Sequence, residues 1–123
     1  MSSAALAAAI AGATAVRVTG IGELDPRHRS RRPSLFVTSD PAALDRLRHC
    51  LAVDDESFAE QLALMTPGVL ALYFTDGHEL LADVSYLYPN FIRWRGWSSD
   101  ARLVDPAALI AWLVEHGWQA PSP

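Results

Sequence analysis

Four arginines occur close together in an otherwise acidic chain. Arg27, Arg29, Arg31 and Arg32 fall within six residues, whereas the 123-residue chain has a formal charge of −4. Guanidinium groups can bind a phosphate or a carboxylate through paired hydrogen bonds, but such runs also form solvated loops that bind nothing. The run is therefore a candidate anion- or partner-binding site. Nucleic acid is not the expected partner, because the chain is acidic and no aromatic residues interrupt the run.

Tryptophan is concentrated at the other end of the chain, at Trp94, Trp97, Trp112 and Trp118. The periodicity of the surrounding residues predicts that Trp94 and Trp112 lie in the core. Trp97 and Trp118 fall outside that periodicity and are expected to be partly exposed. Exposed aromatic side chains contribute to protein interfaces, although covering the edge of the chain's own core is the alternative. Trp97 and Trp118 are therefore candidate partner contacts.

Cysteine and histidine residues do not form a pattern with catalytic or metal-binding spacing. Cys50 is the single cysteine, and on a helix its neighbour His49 would point about 100° away from it, so the two do not form a nucleophile and base pair. No histidines occur at ligand spacing, and Gly20-Ile21-Gly22 lacks the third glycine of a dinucleotide fingerprint. The sequence therefore predicts no catalytic residue, no metal and no cofactor, and it favours a non-enzymatic role.

Length and composition indicate one domain, residues 1–123, with half of the residues apolar. No apolar run is long enough for a membrane helix, and a single cysteine agrees with a reducing compartment, so we expect a cytoplasmic protein. The alanine-rich start lacks the basic residues that precede the apolar stretch of a signal peptide. We expect it to form a helix over residues 3–12 instead, with Ser3 as N-cap.

Capping residues predict three further helices. Asp40-Pro41 and Asp105-Pro106 each combine an N-cap with a proline at the first helical position. The first of these helices is expected to run to about residue 52, and the second to end at Gly117. A Ser-x-x-Glu capping box at Ser57 opens the third, whose inner face is expected to hold three apolar residues, namely Phe58, Leu62 and Met65.

Alternating residues predict strands at 14–21, 34–38, 69–75, 78–86 and 91–94. Asp76-Gly77 predicts a type I′ hairpin with Thr75 opposite His78, and the first strand of this hairpin is expected to be central and the second nearer an edge. That register puts one set of apolar residues on a common face: Val69, Ala71, Tyr73, Leu80, Ala82, Val84 and Tyr86. A three-residue loop with a left-handed Asn90 then aligns Ile92 and Trp94 with that face.

The order of these elements predicts an α+β fold. We expect an antiparallel sheet of about five strands, ending in a meander, covered by three to four helices, with Trp112 on the inner face of the last helix. Residues 22–33, rich in glycine, proline and charge, are predicted to form a mobile Arg-rich loop, and the C-terminal tail is expected to be short and disordered.

The C-terminal half resembles a family of small, uncharacterised bacterial proteins common in actinobacteria. The residues that carry the resemblance are Ile92-Arg93-Trp94, Trp97, Asp100-Ala101-x-Leu103, Leu109-x-x-Trp112-Leu113 and Gly117, within residues 64–117. Members of that family have a Cys-x-Cys and a His-His-Gly that could bind a metal. The matching stretches here read Leu64-Met65-Thr66 and Leu87-Tyr88-Pro89, so the resemblance implies neither a metal nor an activity for this chain.

Three functional hypotheses follow. The first is a protein-interaction domain that binds a protein partner or a second copy of itself. The second is an immunity or antitoxin-like protein that binds a toxin, by analogy with other small, acidic α+β domains. The third is a ligand-binding or enzymatic domain with a pocket between sheet and helices, using Arg93, Arg95 or Asp83. The sequence favours them in that order.

Overall fold

A six-stranded antiparallel sheet with helices on one side forms the domain, in a computed structural model that describes residues 1–21, 34–61 and 63–121. The predicted Arg-rich loop at 22–33 lies outside the described residues. The helices are α1 (Ser3–Ile10), α2 (Pro41–Cys50), α3 (Pro106–Glu115) and the 3-10 helix η1 (Asp55–Glu60); the strands are β1 (Ala15–Gly20), β2 (Ser34–Thr38), β3 (Leu70–Asp76), β4 (Glu79–Leu87), β5 (Phe91–Trp94) and β6 (Ala101–Arg102). The predicted α+β class is confirmed. The count of about five strands was one short, because β6 is only two residues long.

The strands lie in the order β2-β1-β3-β4-β5-β6, so β2 and β6 form the two edges of the described sheet. β1 therefore lies between β2 and β3, and the meander of β3, β4 and β5 continues to β6. β3 is central, as predicted. β4 is also internal, since β5 and β6 continue the sheet beyond it, so the prediction that it lies nearer an edge was wrong.

The main core fills the space between one face of the sheet and the helices. Alternate strand residues face it, including Val18, Leu72, Val84 and Ile92, and all four are fully buried. Helices α1, α2 and α3 contribute their apolar faces, including Leu6, Leu47 and Leu113. Within the described residues, the sheet is therefore covered by helices on one side.

The hairpin of β3 and β4 turns one residue later than predicted. Asp76 pairs with Glu79, and Gly77 has a φ of 60°, so Gly77 and His78 are the central residues of the turn. A register shift after Phe74 then places Phe74 opposite Ala82. The predicted common face was therefore wrong for β3: the residues that face the core with Ala82, Val84 and Tyr86 are Leu70, Leu72 and Phe74, and not Val69, Ala71 and Tyr73.

The connection from β4 to β5 has the predicted length. Leu87 pairs with Phe91 across residues 88–90, so Ile92 lies opposite Tyr86 and Trp94 opposite Val84, as expected. The detail of the loop differs, because Asn90 does not adopt the left-handed conformation and the Tyr88–Pro89 peptide bond is cis. Aligning the apolar residues of both strands on one face therefore predicted this register correctly.

Two of the predicted caps are confirmed: the side chains of Asp40 and Asp105 accept hydrogen bonds from the first turns of α2 and α3. α1 is capped by Ser2 and not by Ser3. The predicted helix from Ser57 was wrong, because the segment forms η1, capped by Asp54, and ends with Gln61 in the left-handed conformation. Met65, expected on its inner face, is fully exposed, and Leu62 lies outside the described residues.

No helix within the described ranges has both the length and the apolar character needed to cross a membrane.

Candidate functional site

The edge of the sheet at β6 is closed by backbone and side-chain contacts. The Arg102 amide donates to the Ser57 hydroxyl at 3.2 Å, and its carbonyl accepts from the Asp54 amide at 2.9 Å. Leu103 forms a β-bridge with Val53 directly afterwards. The outward-facing groups of the edge are therefore already bonded to η1 and the residues that precede it. We call this side of the sheet the sealed edge.

Side chains reinforce the sealed edge. The Arg102 guanidinium contacts the Glu60 carboxylate at 3.2 Å and lies 5.5 Å from the centre of the Phe91 ring. An added strand would have to displace these contacts as well as η1. The sealed edge is therefore not available for pairing with another chain.

A nearly buried ion pair anchors the loops beside the sealed edge. Arg93 donates from Nε and Nη2 to the Asp100 carboxylate at 2.8 and 3.0 Å, and the Asp100 side chain is only 4% exposed. The same guanidinium donates to the carbonyls of Leu64 and Thr66 at 2.7 and 2.9 Å. The Leu64 amide completes the cluster by donating to Asp100. The hydrogen bond to the Asp100 carboxylate raises the pKa of Arg93, so Arg93 remains a cation within this cluster.

This cluster lies on the face of the sheet opposite the helices. Arg93 pairs with Ser85, and Asp83 pairs with Tyr73, whereas the neighbouring Val84 faces the core. Arg93 and Asp83 therefore do not line a pocket between sheet and helices, and Arg95 lies in the exposed turn after β5. Arg93 instead lines a cavity of about 290 Å³ together with Ala63, Ser99 and Asp100, among others.

Within the described residues, the edge at β2 has neither the outer backbone contacts nor the charged side chain that close the sealed edge. Its residues, Ser34-Leu35-Phe36-Val37-Thr38, are all uncharged. Within the described part of the chain, only β1 forms backbone hydrogen bonds with this strand. Val37 is 60% exposed and Leu35 is 46% exposed. We call this strand the open edge.

The inner side of the open edge is held rigidly in place. Phe36 faces the core, where its ring centre lies 5.8 Å from that of Trp112 and 5.6 Å from that of His116. His116 stacks on Trp112 at 4.0 Å, and its Nδ1 lies 2.7 Å from the Trp112 carbonyl oxygen. The strand is therefore held by α3, while its outer side has no backbone partner among the described residues.

A row of side chains continues from the open edge across the face opposite the helices. Register places Val37, Arg17, Tyr73 and Asp83 beside one another on four successive strands. The Arg17 guanidinium lies 5.0 Å from the centre of the Tyr73 ring, and its Nη1 is 3.4 Å from the Ser34 hydroxyl. This face therefore carries a row of four neighbouring side chains. The rest of this face is partly closed, since Thr19, Ala71 and Leu87 are buried.

Cavities of about 350–420 Å³ lie at three positions on the helical side of the sheet. One of 420 Å³ lies beside the Ser34 end of the open edge and is lined by Leu35, Leu70 and Trp118, among others. Another of 350 Å³ lies between α1 and α2, and one of 370 Å³ lies between α2 and α3. The first of these is continuous with the open edge, because Leu35 belongs to both.

The groove between α2 and α3 does not form a reactive centre. Burial raises the pKa of the Cys50 thiol, which disfavours the nucleophilic thiolate. Arg46 and Glu115 form an ion pair across the groove, and the hydrogen bond from Arg46 lowers the pKa of Glu115. In the described ranges, no three His, Cys, Asp or Glu side chains come close enough together to hold a metal ion.

The two tryptophans that were proposed from the sequence as partner contacts differ in their burial. Trp97 is only 6% exposed, packs against Phe58 and Trp94, and donates its indole N–H to the Ser2 carbonyl at 3.0 Å. Its expected exposure was wrong. Trp94, placed in the core by periodicity, is only partly buried, so Trp97 has the more interior position of the two.

Trp118 is partly buried, contacts the rings of Tyr86 and Tyr88, and lines the 420 Å³ cavity that Leu35 of the open edge also lines. Burial raises the pKa of the Tyr86 phenol, which donates its hydrogen bond to the Pro89 carbonyl. Of the proposed site residues in the described ranges, Trp118 is the one near the candidate surface. Arg27, Arg29, Arg31 and Arg32 lie outside the described residues.

Sequence reasoning did not identify the residues of the open edge as functional. The available signal was the uncharged run at 34–38, since exposed edge strands are usually protected by charge or proline. That signal becomes informative only once the strand order is known.

Comparison with known proteins finds no family model, no curated protein and no solved structure that matches this chain.

Proposed function

We propose that the protein is an interaction domain that binds a protein partner by strand addition at the open edge. In this mode an extended segment pairs with an exposed strand, so that backbone hydrogen bonds provide affinity and alternate side chains provide specificity. The observation that carries the proposal is the difference between the two edges. One is closed by η1, and the other is an uncharged strand whose outer side is unpaired within the described residues.

The surroundings of the open edge support the proposal. A segment paired with β2 would extend the sheet, and its side chains on the face opposite the helices would lie beside Val37 and next to Arg17. Apolar and acidic side chains fit these two neighbours. On the helical side, the 420 Å³ cavity beside Leu35 and Trp118 could accept a further side chain.

The geometry of the domain favours binding over catalysis. The Arg93–Asp100 pair is the largest polar cluster described above. Its hydrogen bonds are made to each other and to the backbone of Leu64 and Thr66, so they position these residues. The exposed apolar side chains of β2 offer contact area instead.

The test uses one change at the open edge and a matched change far from it. Val37→Lys introduces a charge into the strand, whereas Val104→Lys introduces the same charge at a valine of similar exposure, 65%, which follows the sealed edge. Cross-linking and capture in the native host should recover a partner with the wild type and with Val104→Lys, and not with Val37→Lys. Equal recovery with both variants would contradict the proposed surface.

A further inference from the structure

We propose that the cavity between α1 and α2 binds a small monocarboxylate, which is a molecule with a short apolar body and one carboxylate group. The cavity shares no lining residue with the open edge, so this binding is a second function beside strand addition. Two observations carry the proposal. The lining is mainly apolar, and it includes a partly buried arginine, Arg48, that has no carboxylate partner among the described residues.

The apolar part of the lining comes from both helices. Leu6 and Ile10 are buried residues on one face of α1, and Ala7 lies beside them. Leu51 and Ala52, which directly follow α2, line the cavity as well. The cavity measures about 350 Å³, near the lower end of the roughly 300–1,000 Å³ of small-molecule sites. It therefore fits a ligand of about ten non-hydrogen atoms, if each takes about the 30 Å³ that a water molecule occupies in the liquid.

Arg48 is held in a fixed position in this lining. Its Nε donates to the Ile10 carbonyl at 3.2 Å, and its Nη2 donates to the Ala13 carbonyl at 2.7 Å. Both contacts are to backbone oxygens at the end of α1, and Nη1 forms no hydrogen bond within the described part of the chain. A guanidinium that keeps unused N–H groups and has no counter-ion is suited to a carboxylate, which accepts charge-assisted hydrogen bonds from it.

The other ionisable groups of the cavity, Asp45 and His49, do not reverse this preference. Both side chains are exposed, so water and salt screen any charge on them, whereas Arg48 is partly buried. Asp45 does not approach Arg48 within ion-pair distance, and the Nδ1 of His49 lies 2.8 Å from the Asp45 carbonyl oxygen. The fixed cation therefore favours an anionic ligand over a cationic one.

The other cavities described above have no such unmatched cation. Arg46 and Glu115 form an ion pair at the cavity between α2 and α3, and Arg93 is paired with Asp100 at the 290 Å³ cavity. The 420 Å³ cavity is lined by no charged residue. Among these four, the cavity between α1 and α2 therefore combines an apolar lining with a cation that no carboxylate neutralises.

Titration of the full chain with octanoate, below the concentration at which it forms micelles, tests the proposal by NMR of amide and methyl groups. The signals of Ala7, Ile10 and Arg48 should shift saturably, with a dissociation constant on the order of 0.1–1 mM for so small a ligand. The amide of Arg102, at the sealed edge, should not shift. Octylamine has the same chain with the opposite charge, and it should bind at least about tenfold more weakly because it cannot accept from Arg48.

Two matched variants locate the binding. Ala7→Leu places a larger side chain in the cavity, whereas Ala8→Leu makes the same change at an exposed neighbour that does not line it. Octanoate binding should weaken by at least about tenfold in the first variant, because the space for the ligand is filled, and should stay unchanged in the second. Asp45→Asn removes the carboxylate from the lining and should strengthen octanoate binding by about twofold to fivefold.

Three results would overturn the proposal. These are a wild type without saturable shifts up to about 10 mM octanoate, octylamine binding as tight as that of octanoate, and unchanged octanoate binding in Ala7→Leu that is folded by circular dichroism. The first two use the wild type, so they decide the question even if Ala7→Leu does not fold. Partner capture at the open edge is measured separately and does not depend on octanoate.

Discussion

The two edges of the sheet differ in whether their outward-facing backbone groups are bonded within the described chain. An edge strand exposes backbone groups that can pair with another chain, so proteins usually cover such edges or protect them with charge. At β6 the chain does both, with η1 bonded to the outer backbone and Arg102 paired with Glu60. At β2 it does neither within the described residues. This difference between the two edges is the basis of the proposed strand addition at β2.

The largest expected effect concerns the support beneath the open edge. Trp112 is buried against Phe36 and donates its indole N–H to the Ala43 carbonyl at 2.9 Å. Trp112→Ala should lower the free energy of unfolding by about 3–5 kcal/mol, because it leaves a cavity and removes the hydrogen bond to the Ala43 carbonyl. Urea unfolding measures this loss. Val114→Ala, an exposed position on the same helix, should change stability by less than about 0.5 kcal/mol.

The next effect concerns the ion pair beside the sealed edge. Asp100→Ala removes the carboxylate that accepts from Arg93 and from the Leu64 amide, and it should lower the free energy of unfolding by about 2–4 kcal/mol. The loss should fall below the largest values for buried pairs because the Arg93 side chain is partly exposed. Glu60→Ala breaks the exposed pair with Arg102 and should cost less than about 1 kcal/mol. Equal losses in the two variants would show that Asp100 is not a buried anchor.

A smaller effect should follow from unsealing the edge at β6. Ser57→Ala removes the acceptor of the Arg102 amide and should cost about 1–2 kcal/mol. Amide exchange at Arg102 should accelerate, because its N–H then has no hydrogen-bond acceptor. Ser39→Ala, at an exposed serine, should alter neither the stability nor that exchange rate. Unchanged exchange at Arg102 in Ser57→Ala would show that the hydroxyl does not protect this edge.

The smallest expected effect on stability is at the open edge itself. Val37→Lys should change the free energy of unfolding by less than about 0.5 kcal/mol, since the side chain is largely exposed. Denaturant unfolding of the dilute protein measures this change. A loss of several kcal/mol would mean that Val37 is part of the core of the domain and would remove the basis for an open edge.

Local signals in the sequence predicted those elements that depend on neighbouring residues. The Asp-Pro pairs at 40–41 and 105–106 start α2 and α3, and the alternation around Ile92 set the register of β5 on β4. Each depends on a few adjacent residues, so propensity and periodicity suffice. Trp112 was placed in the core for the same reason, since helical spacing aligns it with Leu109 and Leu113.

Features that depend on distant residues were not predicted. The register shift after Phe74 places the other face of β3 against the core, because one extra residue in a strand exchanges its two faces, and neither the turn nor the alternation of residues indicates that shift. Arg93 and Asp100 lie seven residues apart in sequence, and they are brought together by the turn after β5 and by the pairing of the two-residue β6 with β5, which periodicity does not show. Trp97 is buried by Phe58 and by the N-terminal residues, which are remote in sequence. The contrast between the two edges has the same origin, because it requires the strand order.

Residue-resolved amide exchange of the wild type tests the central claim most directly. The amides of β2 that do not bond to β1 should exchange rapidly, because they have no backbone partner within the described residues. The amides of Arg102 and Asp54, bonded at the sealed edge, should be protected. Outer β2 amides that are protected, or an Arg102 amide that exchanges as fast as they do, would contradict the distinction between an open and a sealed edge.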